Sequence, residues 1–152
     1  MSPQAKDEAA AMALARTLLT GSVDERREAA TALLALSSEI RDIRAAQPAL
    51  AVAILDADDE LRRRAVRATL ERVESVGADV RLAFPALLRA VGDRDLEVRR
   101  MSWTIVAMAD ARHDVACRAF AAAAAPASQD ADEAVRRAAT TVLGKMGAKA
   151  GG

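Results

Sequence analysis

A chain of 152 residues is long enough for one compact domain or one short repeat array, able to bury roughly two-thirds of its unfolded surface. At 52% hydrophobic and 29% charged it has the balance of a folded chain, which excludes wholesale disorder, and a formal net charge of zero excludes a global field drawing it to DNA or membranes. Only 2% of residues are aromatic and one is cysteine, so a disulfide framework is excluded and the core must be thin and alanine-filled, in a reducing, cytoplasmic setting.

Alanine, leucine, arginine and glutamate dominate, all good helix formers, and β-branched or aromatic runs are scarce. The expected class is therefore all-α. Lys6, Asp7, Glu8 and Arg16 break up the apolar positions near the start, so no secretory leader is expected. A first helix is expected over Met12 to Leu19, with Leu14 and Leu18 inward, followed by one carrying Ala29, Ala32, Leu33 and Leu36. Pro48-Ala49-Leu50 and then Asp56-Ala57-Asp58-Asp59-Glu60-Leu61-Arg62-Arg63 mark a second pair. In the third pair a helix over Asp79 to Val91 contains Pro85, and Gly92-Asp93-Arg94 supplies a turn. Asp95 is the expected N-cap of the helix that follows, whose stripe is Val98, Ser102, Ile105 and Ala109, widened by Trp103 and Val106. The fourth pair opens with a thin helix, about His113 to Ala125, in which alanine replaces larger apolar residues. Its partner carries Val135, Ala139, Val142 and Met146 and is expected to end at Gly147. The longest apolar run, Ala119 to Ala127, is broken by Pro126 and falls far short of the roughly 20 residues a membrane helix needs.

Three of these segments align without gaps. They are Asp56 to Arg63, Asp93-Arg94-Asp95-Leu96-Glu97-Val98-Arg99-Arg100, and Asp130-Ala131-Asp132-Glu133-Ala134-Val135-Arg136-Arg137. The leading aspartates fall at 56, 93 and 130, a spacing of 37, and Pro48 and Pro85 repeat it. A weaker copy, Ser22-Val23-Asp24-Glu25-Arg26-Arg27, precedes them by 36, with Thr20 where the aspartate should stand and Glu25 in place of the valine. A period in the upper thirties is that of helical-hairpin arrays.

The segment Val135-Arg136-Arg137-Ala138-Ala139-Thr140-Thr141-Val142-Leu143-Gly144-Lys145-Met146-Gly147 resembles the second helix of HEAT repeats, particularly the short bacterial kind also present in phycobilisome lyases. That family's aspartate with an arginine six residues on is matched by Asp56/Arg62, Asp93/Arg99 and Asp130/Arg136. The resemblance covers about residues 8 to 147. It implies a right-handed α-solenoid of about four HEAT-like hairpins, at approximately 8–37, 39–74, 79–110 and 113–147, with 148–152 a flexible tail and the first copy a solvent-facing cap. It also implies that the three arginines bind turn aspartates of their own and adjacent repeats as a structural ladder, and that the second helices line a concave face.

The second arginine of each pair, Arg27, Arg63, Arg100 and Arg137, falls about 200° from the core stripe and should be exposed, with Arg64 and Arg67 thickening the row. This row fits two readings: a surface for an anionic partner, or a solvated face offset by Glu28, Glu60, Glu71 and Glu97. Trp103 packs against the adjoining repeat or anchors an interface. His113 and Cys117 stand one turn apart, too few for a zinc site and without the companions a Cys-His catalytic pair needs. No glycine-rich phosphate loop, Gly-x-Ser-x-Gly or His-Glu-x-x-His occurs, so no catalytic residue, metal or cofactor is expected. The leading expectation is a non-enzymatic scaffold or adaptor that holds a protein partner on the concave face, with homo-oligomerisation through stacked ends as an addition. A nucleic-acid binder using the arginine row is one alternative, opposed by zero net charge and few aromatic residues. A lyase-like or chromophore-handling accessory is another, carried by the resemblance alone.

Overall fold

The computed structural model describes the backbone of residues 1–109 and 114–151, and the side chains of 1–109 and 118–145. Every regular element among these residues is helical, so the all-α expectation holds. The α-helices are α1 (Pro3–Thr20), α2 (Val23–Ser38), α3 (Gln47–Ala53), α4 (Asp59–Val76), α5 (Phe84–Ala90), α6 (Leu96–Met108), α7 (Asp114–Ala127) and α8 (Glu133–Gly151). Short 3₁₀ turns, Arg44–Ala46 and Arg81–Ala83, lead into α3 and α5. No described helix is long and apolar enough to cross a membrane.

The chain divides into two compact units, Met1–Ala86 and Leu87–Gly152. In the first, α1 packs on α2 and α3, and α4 packs on α2 and α3. Two helical pairs thus lie one on the other, first helix against first and second against second. Ala11, Ala30 and Ala65 are fully buried among Leu18, Leu33, Ile43, Leu50 and Leu61. Alanine at the contacts brings the helix axes close, and each buried leucine or isoleucine contributes roughly 1.5–3 kcal/mol.

Helix α1 begins well before Met12. Ser2 caps it by accepting the Ala5 N–H, Pro3 sits in its first turn, and the alanines of Ala9 to Ala13 favour helix intrinsically. Helix α2 explains the irregular first copy. Ser22 accepts the Glu25 N–H at 3.2 Å while the Glu25 carboxylate accepts the Ser22 N–H at 3.0 Å, so serine and glutamate close a capping box where the later copies use aspartate and an apolar residue. The helix expected over Asp79 to Val91 is instead the 3₁₀ turn Arg81–Ala83 followed by α5. Pro85, like Pro48 in α3, stands at the second helical position, where a missing N–H costs nothing.

In the second unit α8 packs on both α6 and α7. The expected stripes are buried at Val98, Ser102, Ile105, Val135, Ala139 and Val142, and Phe120 and Ala124 are buried on α7. The Met146 side chain lies outside the described residues. Helix α8 runs on to Gly151, so Gly147 does not end it and residues 148–151 are helical rather than a loose tail. Ala148 and Ala150 carry the helix past the glycine.

Candidate functional site

The repeated Asp-x-Asp segment has one local geometry. The first aspartate turns the chain: Asp56, Asp93 and Asp130 each accept, through Oδ1, the N–H two residues on, at 2.9, 2.8 and 2.9 Å. The second caps the helix: Asp58, Asp95 and Asp132 accept the N–H groups of Leu61, Val98 and Val135 at 2.8, 3.1 and 3.1 Å. Asp95 is therefore the N-cap that its position in the repeat predicts.

The first arginine of each pair folds back on the same turn. Arg62 Nη1 donates to the carbonyls of Asp56 and Ala57 at 2.9 and 3.2 Å, Arg99 to those of Asp93 and Arg94 at 3.1 and 3.2 Å, and Arg136 to those of Asp130 and Ala131, both at 2.9 Å. The spacing of six residues is thus explained by backbone carbonyls, and not by the carboxylate of the arginine's own aspartate. Arg62 also pairs with Asp59.

Helix-to-turn pairs connect equivalent segments within each unit. In the first, Arg26 Nη1 reaches Asp56 Oδ2 at 2.5 Å, and Arg27 grips Asp58 with Nε at 2.9 Å and Nη2 at 2.5 Å. In the second, Arg99 Nε stands 3.3 Å from Asp130, and Arg100 grips Asp132 with Nε at 3.0 Å and Nη2 at 2.5 Å. First arginine meets first aspartate, and second meets second. These hydrogen bonds hold Asp58 and Asp132 down at about 2, below the usual 3.8, and raise Arg27 and Arg100.

The row expected on the second helices is therefore largely engaged by carboxylates. Arg27 and Arg100 are tied to N-caps. Arg63 and Arg64 share Glu60, with Nε contacts of 3.0 and 2.9 Å, and their hydrogen bonds lower that carboxyl. Arg67 is exposed on α4. Arg137 pairs with Glu133 at 2.8 Å, and both side chains are mostly in solvent. Of the two readings of Trp103, burial agrees with packing: at 1% exposure it is a core residue. Its stripe-flank position places it inside because the apolar band of α6 is broad, taking in Met101 and Val106 as well. His113 and the Cys117 side chain lie outside the described residues. Among the described residues no group of three or more His, Cys, Asp or Glu side chains is placed to hold a metal.

The residues that position matching missed are Asp58, Asp132 and Arg26. A further repeated element was also missed. Asp42 accepts the Arg44 N–H at 3.1 Å and Asp79 the Arg81 N–H at 3.0 Å, each carboxylate also holding that arginine's guanidinium. The signal was present, since Asp42/Asp79 and Arg44/Arg81 keep the spacing of 37. No family model matches the chain, and no curated protein matches it.

Proposed function

We propose that the chain is a non-enzymatic interaction scaffold, a right-handed α-solenoid of about four HEAT-like hairpins holding a protein partner on the face formed by its second helices. The observation that carries this reading is the recurrence of one connector. The Arg-Arg to Asp-x-Asp pairing of Arg26/Arg27 with Asp56/Asp58 reappears as Arg99/Arg100 with Asp130/Asp132. Equivalent hairpins joined through equivalent contacts are what a stacked array requires. Such arrays present extended, rigid surfaces suited to a peptide, helix or domain. The carboxylates that engage Arg27, Arg63, Arg64 and Arg100 also compete with any phosphate backbone, which weighs against nucleic acid as the ligand.

The test is capture from a host lysate after nuclease treatment, comparing the wild-type chain with an Arg67→Glu/Arg137→Glu variant. Both positions are exposed and lie outside the Arg-to-N-cap pairs. One protein retained by the wild type, lost by the variant and re-bound as a purified component is expected. Binding that disappears with nuclease, or that is identical for both baits, overturns the assigned surface.

A further inference from the structure

A cleft of about 220 Å³ opens in the first unit between the C-terminal end of α2 and that of α4. Arg72 lines it from α4, with Ile40, Arg41, Asp42, Ile43, Arg44 and Val76 around it. Arg72 is 7% exposed, and among the described residues its one hydrogen bond goes to Gln47 Oε1. No described carboxylate lies within ion-pair distance of it. Its neighbours are already matched: Arg41 holds Asp7 at 2.5 Å, and Arg44 holds Asp42 at 2.7 Å. Burial lowers the Arg72 pKa, and the nearby Asp42 carboxylate, itself held by Arg44, offsets this only in part. A guanidinium has five N–H donors in a fixed fork, and most of these remain unused here.

A second, independent observation falls at the lip of the same cleft. Ile40 has φ 58, in the left-handed region where a β-branched side chain is strained. It closes α2 where Arg41 N–H reaches back to the Leu36 carbonyl at 2.9 Å. Gly77, 37 residues on, also ends its helix in the left-handed region, with φ 60. Glycine is thus the unstrained solution at this position. The isoleucine side chain is not kept for packing, being 68% exposed, and Val76 beside the cleft is 52% exposed. Strain retained beside a buried guanidinium that no carboxylate pairs directly is an observation from which a binding site can be inferred.

We propose that this cleft binds a small oxyanion, a carboxylate or phosphate group on a short apolar body, with the Arg72 guanidinium as anchor and Ile40, Ile43 and Val76 as apolar wall. The planar fork suits two-point recognition of either group, and the space takes roughly seven heavy atoms at about 30 Å³ each. The site lies wholly within the first unit and is independent of the scaffold reading.

The test is a titration of the full chain followed by NMR at constant ionic strength, with 3-methylbutyrate, acetate and inorganic phosphate as probes. Saturable shifts at the Arg72 Nε–Hε and at the methyl groups of Ile40, Ile43 and Val76 are expected in the millimolar range. If 3-methylbutyrate binds more tightly than phosphate, the ligand group is a carboxylate; the reverse order assigns a phosphate. Arg72→Met is expected to weaken the tighter probe about tenfold or more. It should also melt at or above the wild type without ligand, because it removes a buried charge that has no direct ion pair. Added ligand should raise the melting temperature of the wild type alone. Absence of saturation with all three probes, or equal binding by Arg72→Met, overturns the proposal. Should Arg72→Met fail to fold, the wild-type titration decides: shifts confined to the cleft support the site, and shifts spread over the surface arginines overturn it.

Discussion

Arg27 and Asp58 meet at two points, Nε to Oδ2 at 2.9 Å and Nη2 to Oδ1 at 2.5 Å, while the same carboxylate caps α4 by accepting the Leu61 N–H at 2.8 Å. One side chain thereby starts α4 and ties it to α2. Asp132 repeats the arrangement with Arg100 and Val135. Because the cap fixes the carboxylate, the arginine meets a preorganised partner and less side-chain entropy opposes the pair than in an ordinary surface ion pair.

Replacing Asp58 by alanine removes both functions. Loss of the cap costs about 1 kcal/mol and loss of the part-exposed pair up to about 1 kcal/mol more. Asp58→Asn keeps a capping oxygen and loses the charge, so it should cost about half as much. Urea unfolding of the two variants, closed into a cycle with Arg27→Ala, separates cap from pair. Equal losses for alanine and asparagine would mean that the cap contributes nothing.

The same carboxylates set the acid response. Asp58 and Asp132 sit at about 2 in the folded chain against an ordinary 3.8, and the Arg41 hydrogen bond lowers Asp7 as well. A depressed carboxyl contributes stability that is complete above its unfolded value and lost as pH falls through its folded value. Melting temperature should therefore be level near neutrality and decline from about pH 4 toward pH 2. Asp58→Asn should flatten part of that decline. A melting temperature unchanged down to pH 2 would show that the pairs do not contribute.

The repeat spacing, the turns and the buried stripes were legible in the sequence because each rests on local chemistry: an Asx turn, an N-cap, an apolar period. The role of the second arginine was not. Helical phase alone places Arg27 and Arg100 away from the core stripe, and an arginine stem is long enough to return from there to an aspartate on the next turn. Phase likewise left Trp103 at a boundary, and only packing decided that it is buried. The Arg72 cleft as a site had no local signal, since its lining joins the end of α2 and the turn after it to the end of α4, far apart in the chain.

Arg62 is 8% exposed and supplies the donors for two turn carbonyls. Arg62→Ala should destabilise by about 2–3 kcal/mol, because those carbonyls lose a charged donor where water has little access. Arg62→Lys should recover less than half, as a point-charge ammonium does not reproduce the fork. Chemical denaturation of the pair checks both, and full rescue by lysine would reduce the role to charge.

Ser102 shows the converse. Ala65, Ser102 and Ala139 are equivalent positions in the repeat and all are fully buried, but the Ser102 hydroxyl has no hydrogen-bond partner among the described residues. Ser102→Ala should therefore stabilise by about 0.5–1 kcal/mol, removing an unmatched polar group at nearly constant volume. A loss of stability would place a water or an unobserved acceptor on that hydroxyl.

Ile40 and Gly77 give the sharpest comparison, since both hold a left-handed φ, 58 and 60, at positions 37 residues apart. For Ile40→Gly the relief of left-handed strain, about 1–2 kcal/mol, outweighs the added unfolded-chain entropy of glycine, about 0.5–1 kcal/mol. The isoleucine side chain loses little burial, being 68% exposed. The variant should gain up to about 1 kcal/mol. Gly77→Ala should lose about 1 kcal/mol for conformational reasons alone, because a Cβ there meets nothing within 4 Å. Thermal melts of the two single variants test this directly. Opposite signs are expected; a destabilised Ile40→Gly would mean that the isoleucine is held by contacts worth more than its strain.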